Sequence, residues 1–152
     1  VAKVEVGQPV PDFTLAASNG QQVSLSDFRG KKVVLYFYPK DMTPGCTTES
    51  CDFRDFNGKY AERNTEVIGI SPDDVASHEK FIAKHDLPFL LLADTEQEVS
   101  SLFDVWKEKK MFGKTFMGVE RSTFLIDEEG KLAKEWRKVK VDGHVEEVLA
   151  VL

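Results

Sequence analysis

The chain has 152 residues, 41% of them apolar and 30% charged, with 11 Phe. Such a composition folds around a packed core and excludes a disordered chain, and no apolar run approaches the roughly 18 residues of a membrane-crossing helix. The net charge of −6 lacks the basic footprint that nucleic acid demands and would be repelled by an anionic membrane surface.

The start, Val1-Ala2-Lys3-Val4, carries neither a signal peptide nor an Arg- and Ser-rich transit segment. Cytosol, or an organelle interior after processing, is the expected location. Phe13-Thr14-Leu15 and Gln22-Val23-Ser24 flank Ser18-Asn19-Gly20 and read as a hairpin. Lys32 to Tyr38 is a continuous apolar, β-branched run, the pattern of a strand buried on both faces, and Pro39 ends it. Thr43-Pro44 then opens a helix, because Thr suits the N-cap and Pro the first helical position. Glu49 and Asp52 read as early acids favoured by its dipole, and Phe53, Phe56 and Tyr60 as its apolar stripe.

Glu66 to Ile70 reads as a second buried strand. Asp73 to His85 reads as a helix with Val75, Phe81 and Ile82 inward. Phe89 to Ala93 reads as a third strand, followed by a short helix near Glu98 to Phe103. Ser122 to Asp127 and Lys131 to Arg137 form a hairpin across Glu129-Gly130, and His144 to Leu152 is a closing helix. This order predicts one α/β domain over residues 1–152, a mixed central sheet flanked by helices with an N-terminal β-hairpin extension. A thioredoxin-like fold fits it.

Two cysteines, Cys46 and Cys51, are too few for a disulfide scaffold or a four-thiolate zinc site. Cys46 falls in the first turn of a helix that follows a buried strand. There, unpaired backbone N–H groups and the helix dipole favour thiolate over thiol. The competing reading, a small buried hydrophobe, fits poorly at a Pro-Gly bend.

The stretch Phe37-Tyr38-Pro39-Lys40-Asp41-Met42-Thr43-Pro44-Gly45-Cys46-Thr47 closely resembles the peroxiredoxin signature P-x-x-x-T-x-x-C, in its bacterioferritin-comigratory-protein or PrxQ form. Asp12-Phe13, Leu25 to Gly30, Gly69-Ile70-Ser71 and Lys114 to Asp127 are similar to further family blocks, so the resemblance spans essentially the whole chain. It implies a thiol peroxidase acting on hydrogen peroxide and organic hydroperoxides, with Cys46 as the attacking thiolate and Cys51 as the resolving thiol. Thr43 and the N–H groups of Gly45 and Cys46 would cradle the peroxide. Pro39 would shield the sulfur, and Arg121 would stabilise thiolate and polarised peroxide. The resemblance implies no cofactor and no metal. It also implies recycling by thioredoxin or a similar dithiol protein, and a monomer, since both thiols lie in one chain.

On one regular helix, residues five apart have Cα atoms about 8.7 Å apart, beyond the roughly 7 Å a disulfide tolerates. A Cys46–Cys51 bond therefore requires the helix to unwind locally. Two other activities share this chemistry. A disulfide oxidoreductase would normally carry C-x-x-C, which is missing here; a redox sensor would use the same thiols without turnover.

His78, His85 and His144 have no metal-ligand spacing and read as surface or helix-end residues. Lys107-Glu108-Lys109-Lys110 reads as a solvated turn. Trp106, Met111, Phe112, Phe116 and Met117 read as core. The sharper alternative is an apolar wall beside Cys46, with Phe116 touching the organic part of a hydroperoxide or the cluster docking the reductant.

Overall fold

The structure, a computed structural model, describes residues 4–152; the targeting signals sought in Val1, Ala2 and Lys3 lie outside the described residues. The apolar run after Lys31 forms β3 (Lys32–Phe37), the centre of a sheet built from both halves of the chain. It pairs in parallel with β4 (Thr65–Ser71), which pairs in parallel with β5 (Leu90–Ala93). On its other side β3 meets β8 (Ser122–Ile126) antiparallel, followed by β9 (Leu132–Trp136). The N-terminal hairpin, β1 (Thr14–Ala17) and β2 (Gln22–Ser24), extends the far edge through antiparallel pairing of β1 with β5. The order is β2-β1-β5-β4-β3-β8-β9, a mixed sheet in the thioredoxin-like arrangement.

The two-residue period of a strand divides β3 between two cores. Val33, Leu35 and Phe37 join Ile68, Ile70, Phe103 and Phe124 on one face. Val34, Tyr36 and then Tyr38 join Phe53, Tyr60, Val67, Phe81 and Val145 on the other. That second face carries α1 (Pro44–Glu62), α2 (Val75–His85) and α4 (His144–Leu149); α3 (Glu98–Leu102) adds Val99 to the first. The Tyr60 hydroxyl donates to the Val145 carbonyl at 2.6 Å and ties α1 to α4. Gly69 leaves room for the large Tyr36 ring, since a Cβ there would stand 2.8 Å from Tyr36 Cζ.

Four expectations are corrected. Lys107–Lys110 is no turn: β6 (Trp106–Met111) pairs antiparallel with β7 (Lys114–Val119) in a separate two-stranded arm. Its reversal lies at Phe112 and Gly113, both with positive φ, as a two-residue hairpin loop requires. The apolar residues toward the tip of this arm are not core, because there it is largely uncovered. Met111, Phe112, Phe116 and Met117 are exposed, Phe112 to 94%, whereas Trp106 packs against the core and Val119, at the end of β7, lies within it. His78 is neither a surface nor a helix-end residue but is buried within α2; His144 begins α4 as expected, yet is buried too, and each is hydrogen-bonded inside the fold. Val75 is only half-buried; Phe81 and His78 form the inward face of α2.

Candidate active site

Two features of local sequence place Cys46. The loop from Tyr38 to Thr43 leaves β3, and Thr43 takes the extended N-cap conformation, with Pro44 at the first helical position. The first backbone bond of α1 runs from Thr47 N–H to the Thr43 carbonyl at 2.8 Å. In a helix with that start, the N–H groups of Gly45 and Cys46 have no carbonyl one turn back, so they face whatever occupies the site. Thr43 does not cap the helix: its hydroxyl donates to the Lys40 carbonyl at 2.8 Å. Its oxygen therefore keeps its lone pairs for an incoming donor.

Arg121 reaches this turn through sheet register. Phe37 pairs with Ser122 across β3 and β8, so the residue before Ser122 emerges beside the end of β3. Its Nη2 donates to Cys46 Sγ at 3.3 Å, and its Nη1 to Glu49 Oε1 at 2.6 Å. Cys46 is almost wholly buried, so the guanidinium acts on the sulfur with little water between to screen it. Burial works against the Arg121 charge, but Glu49 and Cys46 outweigh it and strengthen its hold on the proton. Gly45 supports the same contact by having no side chain; a Cβ there would stand 3.2 Å from Arg121 Nη2.

Glu49 is the residue that sequence reasoning misses. Its place in the pattern suggests a solvated acid serving the helix dipole, yet it lies beyond the first turn and is completely buried. Burial pushes its carboxyl up to about 7, against the opposing pull of Arg121 and with a further push from Asp52. Oε1 is paired, whereas Oε2 is buried with no hydrogen-bond partner. The available signal is spacing: Glu49 is three residues after Cys46 and four before Phe53, on the face that packs inward.

Cys51, half-buried on the same helix, has different neighbours. Burial raises its thiol; Arg54 pulls it down, and Asp55 and Asp52 push it up again. Both thiols are free, and α1 runs unbroken through both. Pro39 is half-buried where the chain leaves β3. Phe116 pairs with Lys109 across the exposed arm. Burial lowers the hold of the Lys109 ammonium group on its proton, Arg121 lowers it further, and Cys46 and Glu120 act in the opposite sense.

Among the described residues, no set of three or more His, Cys, Asp or Glu is placed to hold a metal. No helix among them is long and apolar enough to cross a membrane.

A thioredoxin-like sheet carrying a buried cysteine at a helix N-terminus, with a guanidinium on its sulfur, defines the class: a cysteine-based oxidoreductase. Residues 6–135 match the AhpC/TSA family. The chain is 60% identical over 149 residues to Peroxiredoxin Bcp of Bacillus subtilis, covering 98% of this chain and 95% of that one. The solved structure of a cysteine-to-serine mutant of Xylella fastidiosa PrxQ superposes with a TM-score of 0.93 at 39% identity, covering 99% and 96% of the two chains. Bacterioferritin comigratory protein from Xanthomonas campestris, solved in a study of its alkyl peroxide reduction, gives 0.90 at 43% identity with the same coverage. The chain belongs to the AhpC/TSA family and, within it, to the Bcp/PrxQ peroxiredoxins; it is a peroxidase.

Proposed function

We propose that the protein reduces hydrogen peroxide and organic hydroperoxides through Cys46 and is recycled by a dithiol protein of the thioredoxin type. The observation that carries the reading is the Arg121 guanidinium donating to the buried Cys46 sulfur at the N-terminus of α1. The alkyl peroxide activity named for the Xanthomonas campestris relative supports the organic substrate class.

The Cys46 thiolate attacks one peroxide oxygen; an S–O bond forms, the O–O bond breaks, and the other oxygen leaves as water or alcohol after taking up a proton. Arg121 and the free N–H groups of Gly45 and Cys46 stabilise charge on the reacting oxygens. Thr43, whose hydroxyl proton is committed to Lys40, accepts from the peroxide O–H. Pro39 limits the approach of bulk water, and Phe116 offers apolar contact to an organic hydroperoxide. The resulting sulfenic acid condenses with the Cys51 thiol, releasing water and forming the disulfide. Thiol–disulfide exchange with the dithiol partner restores both thiols. Thiolate and disulfide carry both electrons, so the cycle calls on no metal or organic cofactor.

A helix that is regular through both cysteines holds their Cα atoms about 8.7 Å apart, so the first turns of α1 unwind once per cycle. Residues 1–152 act as one domain, supported by a sheet that takes strands from both halves of the chain. The cycle closes within one chain and runs in a monomer, and the cytosol, which keeps dithiols reduced, suits it.

Thioredoxin-coupled peroxide turnover tests the scheme. Cys46→Ser is expected to abolish it, and Cys51→Ser to react once and then fail to recycle. Full activity in Cys46→Ser would overturn the reading. Hydrogen exchange at residues 45–53 is expected to lose protection on oxidation; equal protection in both redox forms would remove the unwinding step.

A further inference from the structure

Behind the reactive turn lies a buried polar cluster that none of these steps uses. His78 is completely buried on α2. Its Nδ1 lies 2.8 Å from Asp41 Oδ2, and its Nε2 lies 3.0 Å from the Leu92 carbonyl oxygen of β5. Asp41 also accepts from the Tyr38 hydroxyl at 2.6 Å and the Ser77 hydroxyl at 2.7 Å, and its N–H donates to Asp73 at 2.8 Å.

Carboxylate and carbonyl oxygens only accept, and a neutral imidazole has a single N–H. Either neutral tautomer would aim a ring lone pair at an acceptor oxygen inside the protein, where unsatisfied polar groups are most costly. The imidazolium donates to both. We propose that His78 is a positioning residue of the peroxidase, a buried imidazolium that clamps Asp41 to β5 and so holds residues 38–43 in the conformation presenting Thr43 and the N-terminus of α1.

The backbone of the loop supplies an independent reason. Met42 has φ 65°, a left-handed conformation that costs a non-glycine residue about 1 kcal/mol or more and persists only where the surroundings over-determine it. Those constraints converge on the preceding residue, Asp41. Burial works to raise its carboxyl, but hydrogen bonds from His78 and Tyr38 win and hold it below its ordinary value, as an ionised clamp requires. Facing the ring are Asp41 and Tyr38 from the loop, Ser77 from α2 and the Leu92 carbonyl from β5; Asp73 stands one hydrogen bond further, on the Asp41 N–H.

The inference rests on Cys46 as the reacting thiol, and the experiment separates the two. In the unmodified protein at neutral pH, nitrogen–proton correlation spectra of the His78 ring are expected to show both nitrogens protonated. An unprotonated nitrogen at either position overturns the clamp, whether or not any variant folds. In stopped-flow oxidation by hydrogen peroxide, folded His78→Gln and Asp41→Asn are each expected to be roughly tenfold slower or more, as misplacement of a reacting group produces. The double variant is expected to be no slower than the worse single one, and disulfide reduction by thioredoxin to be unchanged. Unaltered oxidation in His78→Gln, additive losses, or equal slowing of the reductive step overturns the proposal. Cys46→Ser run in parallel reports on the underlying reading: peroxide consumption there sinks that reading, independently of the ring's protonation.

Discussion

The two turns of α1 that carry the cysteines differ in charge more than in geometry. Cys46 is buried in the first turn of α1 with a guanidinium on its sulfur; Cys51 is half-buried among Asp52, Asp55 and Arg54. A cationic setting favours thiolate, and an acidic, desolvated one favours thiol. In the proposed cycle the first of these sulfurs attacks and the second waits, and unwinding would take Cys51 away from the burial and acids that raise its thiol.

The contrast breaks most severely at Arg121. Arg121→Met is expected to slow peroxide oxidation of Cys46 by about 10²- to 10³-fold, the scale for losing one preorganised donor at a reacting centre. Alkylation of Cys51 in the same variant should be unchanged. Stopped-flow oxidation and mass-resolved alkylation read the two thiols separately.

Glu49 sharpens the comparison through pH. Its folded carboxyl is raised to about 7 from an ordinary value of 4.5, so the native state binds more protons than the unfolded chain across that interval. Its contribution to stability is therefore lost as pH rises from about 4.5 to about 7. Urea midpoints are expected to fall over this window, and Glu49→Gln to flatten the fall while still accepting from Arg121. An equally steep fall in the variant would assign it to other groups.

Gly45→Ala places a Cβ 3.2 Å from Arg121 Nη2. We expect a severalfold loss of oxidation rate from displaced geometry, as small misplacements near reacting atoms cause, with the thermal midpoint nearly unchanged. The smallest effect is expected at Asp55→Asn, which removes one of the two acids beside Cys51 and frees Arg54 from its ion pair, leaving Asp52 as the remaining acid. Cys51 alkylation should rise about twofold, the scale of a partly exposed charge pair, with Cys46 oxidation unaltered.

Elements declared by local pattern are legible in the sequence. β3, β4 and β5 read from their apolar centres because a strand covered on both faces needs no polar alternation. The start of α1 reads from Thr43-Pro44 because capping is a local matter. The β6–β7 arm does not read as strands: Trp-Lys-Glu-Lys-Lys-Met has no buried face, so neither period marks it. Glu49, His78 and His144 escape the sequence for a different reason. A charged or titratable side chain is buried only when a partner waits, and these partners come from distant segments: Arg121 for Glu49, Asp41 for His78, Thr123 for His144.

By itself, the sequence determined the order of strands and helices outside the β6–β7 arm and the placing of Cys46 in a first helical turn. It also determined the five-residue separation that forbids a disulfide on an intact helix. Apolar periodicity, capping and helix rise are local, so one chain segment suffices to state them. Only the tertiary structure decided which charge Cys46 meets; the charges around Cys51 sit one, three and four residues on along the same helix. Pairing of Phe37 with Ser122 on the neighbouring strand carries Arg121 to the sulfur from 75 residues along the chain, and α2 and β5 supply the ring and carbonyl that hold Asp41 behind it. Electrostatic environment depends on distance and burial in space, which spacing along the chain does not encode.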